Sequence, residues 1–205
     1  MNKTRIVALV VLLGLVAGSL SAYVLLSPRR TWDGAVNIIV DNRGNRNIAD
    51  GDGGASRVRA AIASNSAWNG SGTGTRVNAS VGSVAGFTLG DRIVMLNFTD
   101  PVRACNGSCL AATFTGYYEN RGDGTVRIYD ADIVTNRRTD FATLGEACSG
   151  SEFYMEGIMV HEVGHVLGLG HSNVSGATMF PSVSACNNAP ATTEADDNAA
   201  IQDLY

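Results

Sequence analysis

The chain is poor in histidine: its 205 residues include three, and all of them fall between positions 161 and 171. Proline is also scarce, and no cluster of basic residues lies beyond the N-terminus. With 15 basic against 19 acidic residues and a net charge of -4, the electrostatic footprint of a nucleic-acid binder is missing, which excludes that class of partner. Cysteine is limited to Cys105, Cys109, Cys148 and Cys186. Only one close pair exists and no second pair faces it, which argues against a cysteine-ligated metal. No internal repeat or low-complexity tract interrupts the composition, 45% hydrophobic, so one ordinary globular domain is expected.

What is present begins with an export signal. Lys3 and Arg5 precede an apolar run that starts at Ile6, and Ser19-Leu20-Ser21 has the small-x-small pattern that a signal peptidase accepts. We read residues 1–21 as a signal peptide and residues 22–205 as a secreted, extracellular globular domain, expected as a monomer. The apolar stretch continues through Tyr23, Val24, Leu25 and Leu26, so the alternative is an uncleaved membrane anchor with the domain outside. Leu15-Val16-Ala17-Gly18 is followed by Ser19 and not by the cysteine that lipidation requires. Four cysteines in an exported chain imply two disulfides, with three alternative pairings. Cys105 with Cys109 closes a tight loop, which leaves Cys148 with Cys186 to tie together the flanks of the histidine-rich segment.

Residues 35–41 read as a short buried strand and residues 42–54 as a polar, glycine-rich loop. A helix over 55–68 follows, with Val58, Ala61, Ile62 and Trp68 as its apolar stripe. Residues 92–98, 110–118 and 125–133 are further strand candidates, which makes the N-terminal half a sheet with one covering helix. From 152 to 167 the pattern predicts a helix whose buried side carries Met155, Ile158, Met159, Val163 and Val166, stopped by Gly168. Residues 193–205, with Glu194, Asp196 and Asp197 in the first turn, predict a terminal helix.

Residues four apart share a helix face, so His161 and His165 can offer both imidazoles to one metal ion, with Glu162 beside them as a base. Gly168 lets the chain leave helical geometry, and His171 can then return to supply a third nitrogen. Three imidazoles leave a fourth position for water, which is the arrangement of a catalytic zinc. Ordinary residue frequencies give on the order of one chance in 10⁵ for the whole pattern in a chain of this length, so an incidental set of histidines is rejected.

This extended motif, followed by Met179, resembles the metzincin metallopeptidases, and its details are similar to the matrixin (matrix metalloproteinase) branch. The third histidine is followed by Ser172, the turn Ala177-Thr178-Met179-Phe180-Pro181 follows at matrixin-like spacing, and residues 194–205 resemble the last helix of a matrixin catalytic domain. The resemblance implies an α+β fold: a twisted, mostly parallel five-stranded sheet packed on an active-site helix, with a small C-terminal subdomain ending in a helix. It implies a zinc endopeptidase that hydrolyses protein or peptide substrates by a zinc-activated water, with Glu162 as general base and Met179 packed beneath the ligands. The substrate would lie along the edge-strand segment Leu110-Ala111, with Pro181, Ser182 and Val183 walling the S1′ pocket and Gly157 leaving its floor open to a medium or large apolar side chain. Asp130 and Asp132 resemble an acidic segment that helps the family bind calcium. No histidine remains for the second, structural zinc usual in the family, and Ile128 stands where one is expected, so one zinc ion is expected. Thiol latency through an inhibitory cysteine is not expected either. Two other readings are a zinc-binding secreted module without catalysis and a zinc hydrolase acting on a small molecule.

Overall fold

The computed structural model describes residues 4–8, 22–42, 55–72, 77–83, 86–118 and 122–205. The apolar run read as a leader therefore lies mostly outside the described residues. Among those described, no helix is long and apolar enough to cross a membrane.

Nine strands and three helices follow one another as β1 (Thr4–Ala8), β2 (Arg29–Thr31), β3 (Val36–Asp41), α1 (Ala55–Asn69), β4 (Val77–Gly82), β5 (Met95–Asn97), β6 (Ala111–Tyr118), β7 (Thr125–Thr135), β8 (Phe141–Ala142), β9 (Phe153–Tyr154), α2 (Met155–Val166) and α3 (Ala195–Leu204), with a 3-10 turn at Ala189–Ala191. The body of the main sheet is the expected five strands in the order β6-β7-β5-β3-β4, all parallel except β6. Two short strands extend it to seven: β2 pairs in parallel with the start of β7, and β1 pairs antiparallel with the far half of β6, from Phe114 to Tyr118. β8 and β9 form a separate parallel pair.

Strand β3 buries Val36, Ile38 and Val40 on one face, as a period of two requires. Parallel neighbours need a crossover, and α1 supplies it between β3 and β4. The face of α1 that packs inward is the predicted one only in part: Ala61 and Trp68 are buried as expected, but Val58 and Ile62 are not. Val58 and Ile62 are 47% and 57% exposed, while Ala60, Ala61, Ser64, Ala67 and Trp68 are buried. Small residues let α1 lie close to α2, and Trp68 donates its indole Nε1-H to the carbonyl of Val160 at 2.9 Å. The sheet edge at β4 is closed by side chains. Asn65 exchanges hydrogen bonds with both backbone groups of Ala79 (2.7 and 2.9 Å), and Asn69 does the same with Val77 (2.7 and 2.8 Å).

Helix α2 starts three residues later than predicted, because Phe153–Tyr154 is drawn into β9. Its apolar side is the predicted one: Met155, Ile158, Met159, Val163 and Val166 are all buried. Gly168, at φ 102°, ends the helix in the left-handed region. Gly168 N-H donates to His165 O and Leu169 N-H to Gly164 O, both at 3.0 Å, the paired bonds of a Schellman turn. A side chain at Gly168 is also shut out by packing, since a Cβ there would lie 2.2 Å from the carbonyl oxygen of Arg30.

Candidate metal centre and cleft

The turn at Gly168 throws the chain back across the end of α2 and brings His171 to the two histidines of the helix. The potential ligand atoms of His161, His165 and His171 lie within 4.8 Å of one another, with 3.2 Å between Nε2 of His165 and Nε2 of His171. Nitrogens bound tetrahedrally at ~2.0–2.1 Å would stand roughly 3.4 Å apart, so the cluster is of the right size for one zinc ion. His161 Nδ1 lies 2.6 Å from the carbonyl of Thr178 and His165 Nδ1 lies 2.8 Å from that of Leu169. A carbonyl can only accept, so each Nδ1 carries the proton and each Nε2 presents a lone pair inward. Burial first, then the neighbouring histidines, holds His165 well below the usual imidazole range; burial and His161 lower His171 to about 4. Both effects favour the neutral, ligating form.

The segment carrying His171 is held from two sides. Behind it, residues 22–26 run alongside: Gly170 N-H donates to Val24 O (2.7 Å), Leu26 N-H to Gly168 O (3.3 Å) and Asn173 N-H to Ala22 O (3.0 Å). Ahead of it, Ser172 N-H donates to Met179 O (2.7 Å) and its hydroxyl to Asp196 (2.6 Å). Met179 is buried beneath the ligands against Gly164, where a Cβ would lie 2.3 Å from its sulfur. Its turn is fixed by Asp197, which is buried and accepts from Thr178 N-H (2.8 Å) and Met179 N-H (2.9 Å). The acids of the terminal helix thus do more than oppose its dipole.

Glu162 is 6% exposed and lies against β6, where Thr113 donates its hydroxyl proton to Glu162 Oε2 at 2.5 Å. Burial raises the carboxyl above its ordinary range, and His161 and Thr113 pull it part of the way back. Above this floor runs a cleft of ≈ 910 Å³. Leu110 and Ala111, at the start of β6, line one wall, and Pro181, Ser182 and Val183 line the other. The β1 pairing stops at Phe114, so it leaves the first residues of the edge strand to the cleft. Gly157 lies in the lining as well, but a Cβ on it would already touch Pro190 Cβ at 3.4 Å, so proline from the 3-10 turn bounds the pocket there.

Both cleft walls are stapled. Cys105 is joined to Cys109 in the loop before β6, and Cys148 to Cys186 across the flanks of α2. Cys186 N-H also donates to Glu152 O at 3.0 Å.

The motif, the left-handed glycine, the returning third histidine and the methionine turn occur here in one arrangement, and a family model described as Matrixin matches residues 95–205, more than half of the chain. The chain belongs to the matrixins. The Metalloendoproteinase 5-MMP of Arabidopsis thaliana is 47% identical over 51 residues, which is 25% of this chain and 14% of that relative. Matrilysin of Rattus norvegicus is 38% identical over 68 residues, 33% of this chain and 24% of that protein. These matches span less than a quarter of either relative's length.

Asp130 and Asp132 lie on β7 and are buried. Asp130 Oδ2 accepts from Gly90 N-H at 2.7 Å, while among the described residues Asp130 Oδ1 and both oxygens of Asp132 have no partner in good hydrogen-bond geometry, the nearby backbone N-H of Met95 relieving Asp132 only in part. Burial, then the charges of Asp130 and Asp91, pushes the Asp132 carboxyl up to about 8. Ile128 on the same strand is buried in the core.

Sequence reasoning missed Thr113, Thr178, Asp197 and Pro190. For Thr113 a signal exists: strand alternation puts Ala111, Thr113 and Thr115 on one face, and a polar run there needs partners.

Proposed function

We propose that this matrixin is a secreted zinc-dependent endopeptidase acting on protein or peptide substrates, with residues 22–205 as its catalytic domain and residues 1–21 as a cleaved signal peptide. The reading is carried by the convergence of three imidazoles, two of them with Nδ1 engaged by carbonyls, next to a buried carboxylate at the floor of an open cleft. His161, His165 and His171 would hold the ion, which supplies polarisation of the scissile carbonyl and acidification of water. Glu162 takes the proton from the attacking water and delivers it to the leaving amine, and its burial keeps that proton from bulk solvent. An extended peptide lies antiparallel to the start of β6, held at Leu110-Ala111 by backbone hydrogen bonds that read no side chain, so many sequences are accepted. Asp130 and Asp132 fit a calcium ion, since buried carboxylate oxygens left without a well-placed donor among the described residues are what a hard cation satisfies.

The direct test is digestion of an unfolded protein with and without a zinc chelator. Cleavage is expected to disappear on chelation and to return when zinc is added back in slight excess. Cleavage that survives complete zinc removal would overturn the metal mechanism, and no cleavage under any condition would favour a zinc-binding module without catalysis.

Selectivity follows from the pocket walled by Pro181, Ser182 and Val183 and bounded by Pro190 next to Gly157. A peptide library is expected to show a medium or large apolar residue at P1′, and Gly157→Leu is expected to shift the preference to smaller residues by crowding Pro190. A wild-type preference for acidic or small P1′ residues would refute this pocket assignment.

A further inference from the structure

Glutamate has three side-chain torsions, and a base that must meet one water in one direction loses rate if those torsions wander. The hydrogen bond that fixes the Glu162 carboxylate does not come from α2. The restraint comes from across the cleft floor, from the third residue of β6. Thr113 is buried, paired in register with Ile133 of β7, and its hydroxyl lies 2.5 Å from Glu162 Oε2 and 3.3 Å from the main-chain carbonyl of Glu162. Both neighbours are acceptors and the hydroxyl has one proton, so the shorter contact, to the carboxylate oxygen, takes it.

We infer that Thr113 is a positioning residue for catalysis: it pins Oε2 of Glu162 and so leaves Oε1 to face the reacting water. This rests on the proposed role of Glu162 as the base. The same strand that offers Ala111 to the substrate backbone thereby orients the base, so peptide and proton acceptor are placed by one rigid element. A β-branched residue suits the strand, and valine has nearly the volume of threonine without the donor.

The test uses zinc-loaded protein and steady-state cleavage of a quenched fluorescent peptide. Thr113→Val is expected to lower kcat about tenfold, with KM and zinc content unchanged, and Thr113→Ser, which keeps the hydroxyl donor, is expected to restore kcat to within about twofold. In a Glu162→Gln background, Thr113→Val should have a smaller effect than it has on the wild type, because the group it positions is already disabled. Equal kcat for Thr113→Val and wild type, or a serine variant as slow as the valine one, would overturn the assignment even if Glu162→Gln is inactive. A Glu162→Gln enzyme with wild-type kcat would instead overturn the base itself, and this inference with it. Loss of kcat in Thr113→Val that persists undiminished in the Glu162→Gln background would reduce Thr113 to a structural role.

Discussion

Glu162→Gln is expected to lower kcat by about 10³-fold or more while leaving KM within a few-fold and one zinc bound per chain. Glutamine keeps the volume of the buried side chain, so no cavity opens under the cleft, and its amide oxygen can still accept from Thr113. The substitution therefore removes proton transfer and little else. Zinc is expected to stay because the three proposed ligands are His161, His165 and His171, and Nδ1 of His161 and of His165 is engaged by a backbone carbonyl and not by Glu162. The measurement is peptide cleavage combined with metal analysis of the same sample. Activity within tenfold of wild type would remove Glu162 from the mechanism. Loss of zinc together with activity would show that the residue holds the site and not the proton.

The second large effect concerns Asp132. Its carboxyl is pushed up to about 8 in the folded chain, against about 3.9 for an ordinary aspartate in the unfolded one. Between these values the folded protein keeps a proton that the unfolded chain has released, so this group's contribution to stability is intact below about pH 4 and is lost as pH rises towards 8. The slope is at most about 1.4 kcal/mol per pH unit, which makes the total on the order of 5 kcal/mol. Zinc-loaded, calcium-free protein is therefore expected to melt at a higher temperature at pH 5.5 than at pH 8, compared in each case with Asp132→Asn, which cannot ionise. Millimolar calcium should raise the wild-type Tm most at pH 8, where the carboxylate is otherwise uncompensated, and should do much less for Asp132→Asn. A calcium-free difference between wild type and variant that does not change with pH would show that Asp132 does not titrate in this window. An equal calcium response in both proteins would place the ion elsewhere.

The metal cluster was legible in the sequence because zinc chemistry fixes both residue type and spacing: a helical i, i+4 pair, a glycine to leave the helix, and a third imidazole within reach. Helix α2 was legible for a related reason, since its buried stripe is made of large apolar residues. Helix α1 misled because its inner face is built from alanine and serine, chosen for close approach to α2, while Val58 and Ile62 face solvent. Strand β4 left no clear trace at all. Val77-Asn78-Ala79-Ser80-Val81-Gly82 has weak alternation, and its edge is satisfied by Asn65 and Asn69, whose side chains reach it only once the fold brings α1 across. Thr113 needs a partner 49 positions away, which no local pattern shows. Asp130 and Asp132 were read by resemblance, and only the packing revealed that they are buried and unsatisfied.

Residues 22–26 stand far from the histidines in sequence, yet they form the back support of the segment that carries His171. This sets a boundary on proteolytic trimming. A cut before Ala22 leaves all three backbone hydrogen bonds in place, whereas a cut after Leu26 removes them together and releases the third ligand's loop. Trimming that reaches past Ala22 is thereby expected to loosen the segment that carries the third proposed ligand, whereas removal of residues 1–21 is not.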